Sequence, residues 1–138
     1  MADFTDTLSR VPLFAGLPRR ELERVAQNMA ERSFSAGDTI VTEGESGVGF
    51  FVIEEGTATV TVGDQTVNTL GPGDYFGEIA LIDRGPRSAS VKAATDLRCR
   101  GMTAWEFRPM VQESSEMAWP LLEALVKRLR ANERATPS

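Results

Sequence analysis

The residues best suited to chemistry lie in one segment, 71–93, which reads GPGDYFGEIALIDRGPRSASVKA. Residues 77–80 are typical of a tight turn that enters a short helix, where unpaired backbone N–H groups favour an anion. Arg87 follows Glu78 by nine residues, and its planar guanidinium suits phosphate oxygens. A carboxylate beside a phosphate site suits a ligand that also offers a hydroxyl, such as a ribose. The residues therefore predict an anion site; the alternative is an exposed ion pair between Glu78 and Arg87.

The surrounding residues, 33–102, predict the β-structure that would carry this segment. Short β-branched and aromatic runs alternate with glycine-containing turns, and Ala58, Val60 and Val62 alternate with threonines as in a half-buried strand. Such spacing indicates a sandwich or roll. The tetrapeptides SAGD at 35–38 and GPGD at 71–74 indicate two related corners or a chance match between turn residues. Strands are predicted at 39–42, 49–54, 57–62, 65–70, 88–93 and 97–102.

Helical spacing predicts helices on both sides of this β-region. Apolar residues recur at helical spacing in 18–30, after a shorter helical turn at 11–17. A short helix is predicted at 105–111, and a longer one from a cap at Ser115 to about Arg134. Pro120 is unfavourable inside a helix, so the last helix either starts near Trp119 or is kinked. Its apolar stripe comprises Leu121, Leu122, Leu125, Val126 and Leu129.

Composition limits the classes of function that are open to this chain. It has 138 residues, a formal net charge of −5, no histidine and one cysteine, Cys99. A nucleic-acid binder usually carries a clustered basic face, so direct nucleic-acid binding is not expected. The start resembles no signal peptide and no apolar run is long enough to span a bilayer, so we expect a cytoplasmic protein without membrane contact.

The 71–93 segment resembles the phosphate-binding cassette of cyclic-nucleotide-binding domains, in the stretches FGEIALI at 76–82 and PRSASV at 86–91. These domains occur in bacterial catabolite activator proteins, in regulatory subunits of cAMP-dependent protein kinase and in cyclic-nucleotide-gated channels. The resemblance covers roughly residues 10–132. It implies one domain, 1–138, mainly β with flanking α-helices. An eight-stranded β-roll (a double-stranded β-helix, or jelly roll) at 33–103 would lie between a helical N-terminus at 10–31 and C-terminal helices at 104–134.

The resemblance also implies a role for each residue of the cassette. Glu78 would accept a hydrogen bond from the ribose 2′-hydroxyl and Arg87 would pair with the cyclic phosphate. Backbone groups of Gly77 and Ala80, with the amide and hydroxyl of Ser88, would complete the phosphate site. Val60 and Val67 would wall the base, and Asn132 would read it. The implied ligand-binding set is therefore Gly77, Glu78, Ile79, Ala80, Arg87, Ser88, Ala89, Val60, Val67 and Asn132.

The helix after the roll would close over the base, with Leu122, Leu125, Val126 and Leu129 as candidates for its lid; packing on the roll is the alternative role for each. Ser88 favours cAMP as the ligand and leaves cGMP open. The expected function is a cyclic-nucleotide sensor that signals by movement of the C-terminal helix to a protein partner or fused effector. The polar tail favours a free-standing chain, and one domain of a longer protein is the alternative.

Two other classes of function compete with the sensor. An enzyme on a similar roll, such as a metal-dependent cupin, would need histidine ligands, and the chain has none. No Walker loop or nucleophile elbow is present either, so neither catalysis nor a metal cofactor is expected. A degenerate interaction module would keep the roll without a ligand, whereas the intact spacing of Glu78 and Arg87 favours binding.

Overall fold

The computed structural model describes residues 3–46, 49–83 and 85–135, with side chains described as far as residue 132. Two compact units are present. One is helical and is formed by the chain up to Asn28 and from Pro109 onward. The other, Met29–Arg108, contains all the described strands and carries the 71–93 segment.

The helical unit contains α1 (Phe4–Ser9), a first 3-10 turn (Pro12–Phe14), α2 (Arg19–Gln27) and α4 (Ser115–Ala135). It also contains the second half of α3 (Ala104–Glu113), because the boundary between the units falls at Pro109. Asp3 caps α1, because its carboxylate accepts a hydrogen bond from the Asp6 amide at 3.1 Å. Arg19 at the start of α2 donates to Asp6 at 2.6 Å, which ties the two helices together. The first 3-10 turn packs against α4.

The predicted helices differ from the observed ones at their ends. α1 was not predicted, and α2 ends at Gln27 rather than near residue 30. The Asn28 side chain donates to the Arg24 carbonyl at 2.8 Å and ends the helix, which leaves Ala30 free to begin a strand. Of the two alternatives for the last helix, a start near Trp119 is wrong: α4 begins at Ser115, the residue predicted to cap it, and Pro120 lies inside it.

The β unit consists of two four-stranded antiparallel sheets, in the orders β1-β8-β3-β6 and β2-β7-β4-β5. Eight strands with flanking helices confirm the predicted roll. The strands are β1 (Ala30–Phe34), β2 (Thr39–Val41), β3 (Gly49–Glu55), β4 (Ala58–Val62), β5 (Gln65–Leu70), β6 (Tyr75–Phe76), β7 (Ser90–Ala93) and β8 (Leu97–Thr103).

All six predicted strands are present, with ends within two residues of the predicted ones. β1 and β6 were missed. β1 is exposed at four of its five positions and so lacks the alternation that marks a half-buried strand. β6 has two residues and is too short for any periodicity.

The two glycine-aspartate corners have the same hydrogen bonds. In each, the aspartate carboxylate accepts from the first amide of the tetrapeptide at 2.8 Å: Ser35 to Asp38 and Gly71 to Asp74. In each, the glycine has a positive φ, +94° at Gly37 and +88° at Gly73. The repeated tetrapeptide therefore marks two equivalent turns of the roll rather than a coincidence of turn residues.

The buried core cluster of the β unit takes its residues from the six strands β3 to β8. Phe51 stacks on Phe76 with ring centroids 5.3 Å apart, and Phe34 meets Phe51 edge-on at 6.2 Å. Phe76 thereby anchors β6 immediately before the cassette. The buried members of this cluster are Ile53, Ala58, Leu70, Phe76, Val91, Ala93, Leu97 and Cys99.

Candidate functional site

The predicted tight turn is present as a second 3-10 turn, Glu78–Leu81, that directly follows β6. Gly77 precedes it with φ +84°, a conformation that glycine adopts without steric cost. The Ala80 amide donates to the Gly77 carbonyl at 3.0 Å, and the Asp83 amide donates to Ile79 at 2.8 Å. The predicted short helix is thus a single 3-10 turn, which holds Glu78 next to the glycine.

Arg87 lies against Gly77 and the start of β3. Its Nη2 donates to the Gly49 carbonyl at 2.7 Å. A Cβ atom at position 77 would stand 2.3 Å from that carbonyl oxygen and 2.6 Å from Arg87 Nη1. Position 77 therefore needs glycine for two reasons, its backbone conformation and the close approach of the guanidinium.

The main chain of Arg87 is held by the loop that precedes β3. The Arg87 amide donates to the Glu45 carbonyl and the Gly44 amide donates to the Arg87 carbonyl, both at 2.9 Å. Ser46 and Pro86 form an isolated antiparallel bridge beside this pair. Both polar backbone groups of Arg87 are thus satisfied, which fixes the point from which the side chain extends.

The electrostatic environment of Arg87 suits an anion. Burial lowers the pKa of its guanidinium, and the nearby Glu78 carboxylate opposes that shift. The group still remains a cation at any ordinary pH. Its Nε is buried and has no hydrogen-bond partner among the described residues. A half-buried cation with an unused donor is favourable only if a compensating acceptor is available.

The other cassette residues differ in exposure. Ala80 is buried, Ile79 and Ala89 are half-buried, and Ser88 is exposed. Ser90, the following serine, has a structural contact, because its hydroxyl accepts a hydrogen bond from the Glu43 amide at 2.8 Å.

The residues that the resemblance implies as base contacts differ in exposure and in the unit to which they belong. Val60 is half-buried, is paired with Val91 of β7 and packs against the core cluster. Val67 is 57% exposed and falls where the β4–β5 pairing is interrupted by a register shift. Asn132 is exposed on α4, in the helical unit. Among the lid candidates, Leu125 is half-buried, whereas Leu122, Val126 and Leu129 are exposed.

Sequence reasoning missed the residues that hold Arg87 in place. Gly49 acts through its backbone carbonyl, and residues 44 and 45 act through backbone groups, 38 to 43 positions away from Arg87. Backbone contacts leave no side-chain pattern at these positions. The glycines at 44 and 49 were the only local signal, and glycine is equally common in ordinary turns.

Comparison with known proteins gives the same family as the resemblance of the 71–93 segment. The profile of the family described as "Cyclic nucleotide-binding domain" matches residues 31–114. A cAMP-dependent protein kinase regulatory subunit from Mycosarcoma maydis is 40% identical over 106 residues, which are 72% of this chain and 20% of that protein. The chain thus spans about a fifth of the length of this relative.

Solved structures agree with the family match. The N-terminal domain of a transcriptional regulator from Streptomyces coelicolor A3(2) superposes with a TM-score of 0.86 at 30% identity, over 96% of each chain. The cAMP-bound structure of PfPKA-R superposes with a TM-score of 0.72 at 27% identity, over 95% of this chain and 44% of the other.

The eight-stranded roll with its flanking helices defines the class of domain that these regulatory proteins contain. The relatives named above are a kinase regulatory subunit and a transcriptional regulator, and they confirm the prediction that the chain is not an enzyme. With the profile match across more than half of its length, the chain belongs to the cyclic nucleotide-binding domain family. Within the described ranges, no helix is both long and apolar enough to cross a membrane.

Proposed function

We propose that this chain binds cAMP at the site formed by Gly77, Glu78 and Arg87. The observation that carries the proposal is the half-buried Arg87 guanidinium, held by Gly49 and with its buried Nε unused among the described residues. A cyclic phosphate would supply the acceptor that this donor lacks. The cAMP-bound relative PfPKA-R supports cAMP as the ligand, and cGMP is the alternative.

The proposed contacts of the nucleotide are those that the resemblance to cyclic-nucleotide-binding domains implies. Arg87 pairs with the cyclic phosphate, and Glu78 accepts a hydrogen bond from the ribose 2′-hydroxyl. Backbone groups of Gly77 and Ala80 and the amide and hydroxyl of Ser88 complete the phosphate site, with Ile79 and Ala89 as their neighbours in the chain. Val60, Val67 and Asn132 contact the base.

We further propose that α4 is the moving part of the switch. Beyond Leu121, residues 122–132 carry no fully buried side chain, so this part of α4 has few contacts to lose. A ligand moves such a helix only if it contacts one position better than another. Contact between the base and Leu125, Val126 or Leu129 would provide that difference.

The two units would act as one domain, 1–138, since one domain of the Streptomyces coelicolor regulator covers 96% of this chain. We propose a protein partner or fused effector as the receiver of the signal, without direct nucleic-acid or membrane contact. The dispersed basic residues and the net charge of −5 support the lack of direct nucleic-acid contact. We also propose a cytoplasmic location for the protein.

Titration calorimetry with cAMP and with cGMP tests this function. Arg87→Ala should weaken cAMP binding by about 2–5 kcal/mol, since it removes the cation from a buried charge pair. The matched control is Arg98→Ala, because Arg98 forms its contacts with Glu55 and Glu31 on the strands instead. Absence of binding to the parent chain would favour the degenerate interaction module, and an unaffected Arg87→Ala variant would overturn the site.

A further inference from the structure

A buried carboxylate of the helical unit lies outside the cassette. Glu21, in the first turn of α2, has 6% of its surface exposed. Its Oε1 accepts a hydrogen bond from the Ser114 hydroxyl at 3.2 Å, whereas its buried Oε2 has no hydrogen-bond partner among the described residues. An incompletely satisfied buried carboxylate costs stability relative to an apolar residue. Its position therefore calls for a role other than packing.

Ser114 stands at the break between two helices. α3 ends at Glu113 and α4 begins at Ser115, so Ser114 is the single residue between them. Its carbonyl accepts from the Met117 amide at 3.2 Å, within the first turn of α4. A hydrogen bond from this residue to Glu21 thus connects α2 to the point where the direction of α4 is set.

Two arginines of α2 contact the acidic residues on both sides of this break. Arg24 Nη2 lies 2.7 Å from Glu113 Oε2, and Arg20 forms an ion pair with Glu116. Each arginine also has a nitrogen 3.8 Å from the Glu21 carboxylate. Exposed ion pairs contribute little singly. Together with Glu21, however, they fix α2 against the α3–α4 break at three points, Glu113, Ser114 and Glu116.

The break is also where the packing of α4 is concentrated. Met117 is fully buried and Leu121 is 5% exposed, whereas residues 122–132 contain no fully buried side chain. The orientation of the long exposed part of α4 is therefore decided by contacts made in its first two turns.

We propose that Glu21 is a positioning residue for α4. The group formed by Glu21, Ser114, Arg20 and Arg24, here termed the α2 latch, holds the α3–α4 break in one arrangement. Movement of α4 requires the Glu21–Ser114 hydrogen bond to break or re-form. The signalling part of this inference rests on the proposed cAMP switch, but the latch itself is a property of the protein without ligand.

Hydrogen exchange on the full chain without ligand tests the latch. Ser114→Ala should speed exchange of the amides at 115–121 by about tenfold, since a hydrogen bond to a charged group is lost. Exchange in β3 and β8 should stay at the parent rate. A merely structural residue would act through global unfolding and would speed exchange in the strands as well. Ser114→Thr keeps the hydroxyl and should restore the parent rate at 115–121.

A double-mutant comparison identifies Glu21 as the partner. Glu21→Ala should speed exchange at 115–121, and the double variant with Ser114→Ala should be little faster than either single variant. Glu23→Gln is the matched control, because Glu23 lies on α2 with an exposed ion pair to Arg19. Additive effects of Glu21→Ala and Ser114→Ala, or exchange at 115–121 that Ser114→Ala leaves unchanged, would overturn the proposal.

Addition of cAMP separates this inference from the proposed function. In Ser114→Ala, cAMP should still protect residues 76–91, but exchange at 115–121 should respond less than in the parent. If cAMP protects neither region of the parent chain, the proposed function fails while the ligand-free comparison still decides the latch.

Discussion

The most specific test of the site is Gly77→Ala, a change of one methyl group. The added Cβ would stand 2.3 Å from the Gly49 carbonyl oxygen and 2.6 Å from Arg87 Nη1, distances that real Cβ atoms do not tolerate. Because Gly77 has φ +84°, alanine would also carry backbone strain of roughly 1–2 kcal/mol. The carbonyl belongs to β3 and cannot yield easily, so we expect the guanidinium to be displaced.

The matched control for this variant is Gly37→Ala. Gly37 has a similar φ of +94°, and a Cβ there would meet nothing within 4 Å. Both variants should therefore lose similar stability through backbone strain, and only Gly77→Ala should misplace Arg87. If that displacement removes much of the phosphate contact, the free energy of cAMP binding weakens by about 2 kcal/mol or more, which raises the Kd roughly thirtyfold.

Thermal unfolding and calorimetry measure the two effects separately. Unfolding temperature reports the strain shared by both variants, and calorimetry with cAMP reports the position of Arg87. If Gly77→Ala binds cAMP as tightly as Gly37→Ala, the close approach between Gly77 and Arg87 does not organise the ligand site, and the reasoning is refuted.

Three further predictions concern other parts of the molecule. Glu78→Gln should weaken cAMP binding less than Glu78→Ala in calorimetry, because an amide oxygen still accepts from a ribose hydroxyl; two variants that bind like the parent would contradict the ribose contact. Added cAMP should slow hydrogen exchange at 119–132 as well as at 76–91, and protection of 76–91 alone would mean binding without the switch. Burial raises the pKa of the Cys99 thiol to about 11 from 9.0, so the folded state favours the neutral thiol. This contribution to stability is complete below pH 9 and lost as pH rises toward 11, and denaturant titrations of Cys99→Ala should lack it.

The strands of the roll were predictable because their signals are local. β4 and β5 show β-branched residues between glycine-containing turns, and the Gly37 and Gly73 corners repeat the same four-residue pattern. Such features depend on neighbours within a few residues, which one sequence displays directly. β1 lacked any signal because it is exposed almost throughout, and its pairing with β8 crosses more than sixty positions.

The site was only partly predictable for a related reason. The sequence indicated Glu78 and Arg87 as a pair. The Glu78 charge opposes the lowering of the Arg87 pKa by burial, which agrees with the proximity of the two side chains. The support for Arg87 comes from backbone atoms of Gly49 and of the 44–46 loop, whose side chains give no hint of the contact. The same holds for Glu21 and Ser114, which are 93 positions apart.

The backbone support of Arg87 also bears on how such domains change over evolutionary time. Because Glu45 holds the arginine by a main-chain hydrogen bond, substitution of its side chain should be tolerated as long as the loop keeps its path, whereas Gly44 has φ +84° and should stay glycine. An insertion or deletion in this loop would instead move the arginine while every residue of the FGE and PRS stretches stayed the same. A descendant of this chain could therefore lose its ligand with its motif unaltered, and the length of the loop before β3 would be the better indicator of a working site.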